Sequence, residues 1–218
     1  MQILETERLI LRHMSTEDAA FILGLLNEPS WLQFIGDRGL RTLDDARAYI
    51  LNGPDLLKSL FIYEPGVPTY VTDPAELEAF AADANAMFGP VFEAVQSRGD
   101  NVEGVRRLID GSGQMPGYFD SQPQERQDLQ MENARTMPLQ LAQSAPPVIT
   151  CEQLGTLTMP VCIAQGELTR PLFSIVSRAA ARCIPHCRHM IIPGATHMWP
   201  DEDATGFITA VLDFLKDL

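Results

Sequence analysis

The sequence predicts an α/β fold: a parallel sheet interrupted by a helical insertion, with a short β-α-α segment ahead of it. Three observations carry this. Leu60-Phe61-Ile62-Tyr63 and Met159-Pro160-Val161-Cys162-Ile163-Ala164 are short apolar runs of the kind that strands buried on both faces show. A long stretch of helical spacing separates them. After Pro146-Pro147, strand and helix patterns alternate at a spacing that implies parallel strands with right-handed crossovers.

The first segment holds a short strand over Leu9–His13 and a capping-box-like start at Ser15 with Asp18. Ala19, Ile22, Leu23, Leu25 and Leu26 give a one-faced helix ended by Asn27-Glu28-Pro29. A second helix starts at Thr42, with Asp45 in its first turn, and runs to a Gly53-Pro54 stop. The Leu60–Tyr63 strand is stopped by Glu64-Pro65-Gly66. The insertion begins with a helix opened by Thr72 or Asp73 and a first-turn Pro74, running to about Val95. Helices over about Val102–Ile109 and Pro123–Leu141 follow, separated by Gly111-Ser112-Gly113 and Pro116-Gly117. The last part reads as a strand ending at Gln165-Gly166-Glu167, an amphipathic helix over Pro171–Cys183, a strand over Arg188–Ile192, a turn to His197 and a helix over Ala204–Leu218.

Composition narrows the functions. With 45% hydrophobic and 21% charged residues in 218, the chain can bury a real core. A net charge of −13 leaves its 16 basic residues scattered among 29 acids, which excludes a phosphate-tracking nucleic-acid surface and repels anionic membranes. No apolar run reaches the ~20 residues of a spanning helix, and the acidic N-terminus lacks the pattern of a signal peptide. The expectation is therefore a cytoplasmic protein with its four cysteines as free thiols. Cys183, His186, Cys187 and His189 crowd into seven positions without a second ligand pair, so no metal site is expected. No cofactor is expected either.

The tail Pro193-Gly194-Ala195-Thr196-His197-Met198, the acidic Asp201-Glu202-Asp203 and the closing Val211-Leu212-Asp213-Phe214-Leu215 resemble the C-terminus of the α/β-hydrolase family. Met159–Glu167 resembles that family's penultimate strand and loop, and Leu60–Pro65 the strand before its helical lid. The resemblance covers about residues 55–218 and implies a partial α/β-hydrolase-type parallel sheet with a lid over about 72–145 and the last strands and histidine turn over about 157–218. Residues 1–53 are similar to something else. Leu4-Glu5-Thr6-Glu7-Arg8-Leu9-Ile10-Leu11-Arg12 and Arg41–Ile50 resemble the start of a GNAT N-acetyltransferase, without that family's Gly-rich acetyl-CoA turn. The two resemblances imply a fusion of two truncated families, divided at about residues 53 and 54.

A hydrolase triad needs a nucleophile, a base that takes its proton and an acid that orients the base. The resemblance implies His197 as the base, for hydrolysis of a small ester or a carbon–carbon bond. Glu64 and Glu167 both end strands, where α/β sheets build sites, and both are candidates for the acid. Gly166-Glu167-Leu168-Thr169-Arg170-Pro171 lacks the family's usual Asp, whereas its Tyr-Glu-Pro sub-families place their acid at the position of Glu64. No Gly-x-Ser-x-Gly elbow precedes Leu60, and Ser112 lies among glycines in a loop of the lid with no strand before it. The chain is therefore expected to be inactive or impaired. Rival readings are an acetyltransferase fragment, or a binding module that uses the lid pocket, for a small apolar molecule, or the bare sheet edge; Trp31, Trp199 and the methionines read more readily as core or lid packing than as pocket lining. Three strands of a normally eight-stranded sheet also leave an apolar edge that favours self-association.

Overall fold

The computed structural model describes residues 2–5, 10–12, 14–52, 58–142 and 148–217. They fall into two compact units, Met1–Lys58 and Ser59–Leu218.

In the smaller unit, β1 (Gln2–Glu5) pairs antiparallel with β2 (Ile10–Arg12). The strand expected over 9–13 is present at its centre, while Leu9 and His13 lie outside the described residues. The sequence gives no strand expectation for its partner β1. The Asp18 carboxylate accepts the Ser15 N–H at 2.8 Å, starting a 3-10 turn (Thr16–Asp18) that leads into α1 (Ala19–Leu26). Pro29 does more than end α1: it opens α2 (Pro29–Phe34), where a proline's missing N–H costs nothing. Thr42 and Asp45 bond reciprocally, 2.8 Å from the Thr42 N–H to the Asp45 carboxylate and 3.1 Å in return, and start α3 (Leu43–Asn52). Ala19, Ile22, Leu26, Leu40 and Ala46 form its core. The Gly53-Pro54 stop lies outside the described residues.

The larger unit opens with β3 (Leu60–Tyr63), followed by the helical insertion. Asp73 caps α4 (Pro74–Phe92), accepting the Ala75 and Glu76 N–H groups at 2.9 and 3.0 Å, and a wider π turn continues it to Ser97. Then come α5 (Asn101–Ser112), α6 (Tyr118–Ser121), α7 (Gln124–Glu132) and α8 (Met137–Leu141). The single helix expected over Pro123–Leu141 is thus two. Pro138 has no N–H to continue a ladder, and a 3-10 turn over Ala134–Thr136 joins the pieces. The Gly111–Gly113 loop is corrected as well: Gly111 and Ser112 are the last turn of α5, with Gly111 pressed against Met87 of α4. A β-carbon at Gly111 would stand 3.0 Å from the Met87 Cγ, so the glycine serves close helix packing.

After α9 (Cys151–Gly155), β4 (Val161–Gly166), α10 (Pro171–Cys183), β5 (Arg188–Ile192), α11 (Trp199–Glu202) and α12 (Ala204–Lys216) complete the chain. The sheet order is β3-β4-β5, parallel throughout, with Leu60 opposite Val161 and Cys162 opposite Arg188. All six residues of β4 are buried. β3 is half-buried rather than enclosed on both faces, because among the described residues it has a strand neighbour on one side only. Alternation divides the strand residues between two layers. Leu60, Ile62, Val161 and Ile163 pack on Ile175, Val176, Ala179 and Ala180 of α10. On the other face Phe61 meets Phe207 and Phe214 of α12. Among the described residues no helix is long and apolar enough to cross a membrane.

The expectation of four free thiols is overturned. Cys151 and Cys183 form a disulfide with their Cα atoms 5.0 Å apart, leaving Cys162 and Cys187 free. Topology explains it: β4 runs up and α10 runs back down, so the last residue of α10 returns to the entrance of β4, where α9 lies. One of the four clustered metal-ligand candidates, Cys183, is spent in this bridge.

Candidate active site

Parallel strands bring their C-terminal ends to one edge, and there the site assembles. Glu64 follows β3 with φ of 49°, a left-handed conformation that strains a non-glycine residue. Its carboxylate is fully buried and accepts three hydrogen bonds. The Gly166 N–H donates to Oε1 at 2.8 Å, the Thr169 hydroxyl to Oε2 at 3.0 Å, and the His197 Nδ1 lies 2.6 Å from Oε2. A carboxylate can only accept, so Nδ1 carries the proton and Nε2 is the nitrogen that Glu64 leaves open. The imidazole is 28% exposed and lies flat on Phe173, ring centroids 3.6 Å apart and planes 5° from parallel.

Close backbone approach holds the histidine turn. A β-carbon at Gly166 would stand 2.2 Å from the Ala195 carbonyl oxygen, so any side chain there must push the turn away. The Ala195 carbonyl accepts the Leu168 N–H at 2.9 Å. Glu167 binds the same turn, its carboxylate accepting the Gly194 N–H at 2.9 Å where Gly194 takes φ of 68°. Glu167 therefore anchors the turn while Glu64 holds the imidazole. The Tyr63 hydroxyl donates to the Thr196 carbonyl, and its ring packs on Trp199. Burial and then the neighbouring Glu64 push the Tyr63 phenol far above its usual range, so it stays a donor.

Ser112 is buried and donates to the Leu108 carbonyl at 2.9 Å, a bond within its own helix. The helical insertion and the start of α10 line a cavity of about 370 Å³, with Asp83, Met87, Arg107, Asp110, Gln114 and Arg170 among its walls and neither His197 nor Trp199. Trp199 is buried among Tyr63 and Phe207, and Trp31 packs against the core of the smaller unit. Sequence reasoning missed Tyr63, Thr169 and Phe173. Tyr63 was within reach, as the neighbour of Glu64 on a strand end; Thr169 and Phe173 carry no signal, since only the folded loop turns them to the site.

No protein-family model and no curated protein matches this chain. Among solved structures it is similar to the carboxylesterase CesB from Bacillus subtilis, at 15% identity and a TM-score of 0.50, covering 95% of this chain and 69% of that one. A bromoperoxidase from Bacillus anthracis (17% identity, TM-score 0.49) and MenH from S. aureus (20% identity, TM-score 0.48) are similar too. The chain spans 58% and 62% of those two, under two thirds of their length. These neighbours are α/β-hydrolases, and the likeness to the carboxylesterase shows a shared fold. The acetyltransferase resemblance of residues 1–53 finds no counterpart among them.

Proposed function

We propose that the larger unit carries the base and the orienting acid of an α/β-hydrolase site, His197 and Glu64, without a nucleophile. The 2.6 Å contact between His197 Nδ1 and a buried, triply bonded carboxylate carries this reading, because it presents Nε2 as the base nitrogen. Hydrolysis of a small ester or a carbon–carbon bond is then the ancestral chemistry, lost or severely reduced here because a base without a nucleophile performs no acyl transfer. Ser112 does not restore it, being buried and bonded within its helix. A nitrophenyl ester should show negligible turnover, unchanged in Ser112→Ala. Stoichiometric labelling of Ser112 by a serine-directed probe would overturn this.

A binding role is the second reading, favoured by the cavity of about 370 Å³. Its two arginines and two aspartates suit a ligand with polar groups better than the purely apolar one expected from the sequence. The smaller unit, compact by itself, is compatible with a separate acetyltransferase-like origin. Self-association through exposed apolar residues such as Ile191 on β5 and Ile208 and Leu212 on α12 belongs to the same proposal. The cytoplasmic placement came from the lack of a signal-peptide pattern, and the free thiols followed from it; the Cys151–Cys183 bridge favours an oxidising compartment instead.

A further inference from the structure

Two polar contacts tie the helical insertion to the segment that follows His197. The Tyr118 hydroxyl, in α6, donates to Glu202 Oε1 at 2.7 Å. Arg126, in α7, pairs with Asp201. Both acids belong to α11, directly after the histidine turn. The second oxygen of Glu202 accepts the Thr196 hydroxyl at 3.3 Å, and that hydroxyl in turn accepts the Met198 N–H at 3.1 Å. One carboxylate thus spans the lid and the backbone on either side of His197. Little else fills the junction: a cleft of about 310 Å³ lies there, lined by Tyr118, Gln122, Pro123, Arg126, Asp201 and Glu202. Such exposed polar contacts over a cleft open more readily than a packed core. Tyr118 itself is well placed. Its ring sits where a β-carbon on Gly113 would stand 2.3 Å away, and burial with the adjacent Glu202 pushes its phenol well above the usual range, keeping it a donor.

We propose that Glu202 is a positioning residue that couples closure of the α6–α7 part of the lid to the placement of His197. With the lid down, Tyr118 and Thr196 share its two oxygens and the turn is held. With the lid lifted, the carboxylate turns to solvent and the turn loosens. This rests on the reading of His197 as the base of the site, whose regulation it describes, but the coupling is measurable without turnover.

The experiment uses the full chain and follows carbethoxylation of each histidine by peptide mass, with His186 and His189 as internal references. Hydrogen exchange of residues 118–132 and 195–203 is measured in parallel. Tyr118→Phe removes one hydroxyl whose partner is Glu202. Losing one hydrogen bond should raise the His197 modification rate roughly fivefold. Exchange should rise in both segments together, Glu202→Ala should exceed this, and Glu202→Gln should restore part of the wild-type rate. An unchanged His197 rate in Tyr118→Phe overturns the proposal, whether or not the lid exchanges faster. A chain with this coupling and vigorous serine-dependent esterase activity would sink the reading of a missing nucleophile and leave the coupling standing; an inactive chain without it would do the reverse.

Discussion

Asp83→Ala should destabilise the larger unit by about 1–3 kcal/mol, the usual consequence of leaving a part-buried, hydrogen-bonded charge without its partner. Asp83 on α4 and Arg170 ahead of α10 pair at 2.8 Å, with side chains only 16% and 12% exposed. The carboxylate takes the Arg170 Nε–H and Nη2–H and the Leu172 N–H, the last at 2.9 Å at the start of α10. Two further guanidinium contacts, to the Gly111 carbonyl at 2.8 Å and the Asp83 backbone carbonyl at 3.2 Å, survive the substitution and cannot neutralise the charge. Urea unfolding in a Trp31→Phe background lets Trp199 report this unit. Asp83→Leu combined with Arg170→Met should cost less than Asp83→Ala alone, and equal or greater loss in the double variant would refute the unpaired-charge explanation.

The same carboxyl sets an acid limit. Burial alone would raise the Asp83 pKa, but the Arg170 hydrogen bond, the Leu172 N–H and the Arg170 charge outweigh it, and the net shift is downward from 3.8. A folded pKa below the unfolded one means that the stabilisation is complete above about 3.8 and drains away as pH falls through the lower folded value. Asp83→Ala should therefore remove part of the acid sensitivity of the unit along with its stability.

Opening the Cys151–Cys183 bridge should cost about 3–4 kcal/mol for a closed loop of this size. The bridge encloses 32 residues of separation, holding α9, β4 and α10. The unfolded chain gains most of the freedom that reduction releases, so the urea midpoint should fall with reductant and in Cys151→Ser with Cys183→Ser. The free thiols give a second check. Burial pushes Cys162 up to about 11 and raises Cys187, so both should react slowly in the folded protein. Unfolding without reductant should expose two thiols, Cys162 and Cys187; four would show that no bridge exists.

What the sequence made legible follows from the range of each signal. Strand and helix periods are local, so β4, α10 and β5 were readable almost to the residue, and the parallel direction of the strands followed from their crossovers. His197 was readable as a candidate through the family resemblance, and Glu64 and Glu167 as candidates because they end strands. The separation of function between the two carboxylates was not, since it depends on which carboxylate the folded turn faces: Glu167 meets the Gly194 N–H and Glu64 the imidazole. The disulfide was hidden for the same reason, as the return of α10 to the start of β4 is a three-dimensional event. Short helices such as α6, α8 and α9 carry too few residues for a period to show.

The register of the sheet also orders its assembly in time. β4 and β5 pair across a short crossover, Cys162 with Arg188, whereas β3 joins β4 only by closing a loop about four times longer, Leu60 with Val161. Loop-closure entropy makes the longer contact costlier by about 1 kcal/mol before any packing gain, so β4, α10 and β5 form the early nucleus and β3 docks late. Glu64 arrives with β3, and its contact to His197 spans 133 residues. The base is thus built without its acid, and the pair comes into being in the closing step of folding. Pulse-labelled exchange would show this as protection of the Leu60 and Glu64 amides lagging behind those of β5, and simultaneous protection would contradict it. On the way back out, the same step runs first: mild denaturant disconnects the acid from the base while most of the sheet still stands.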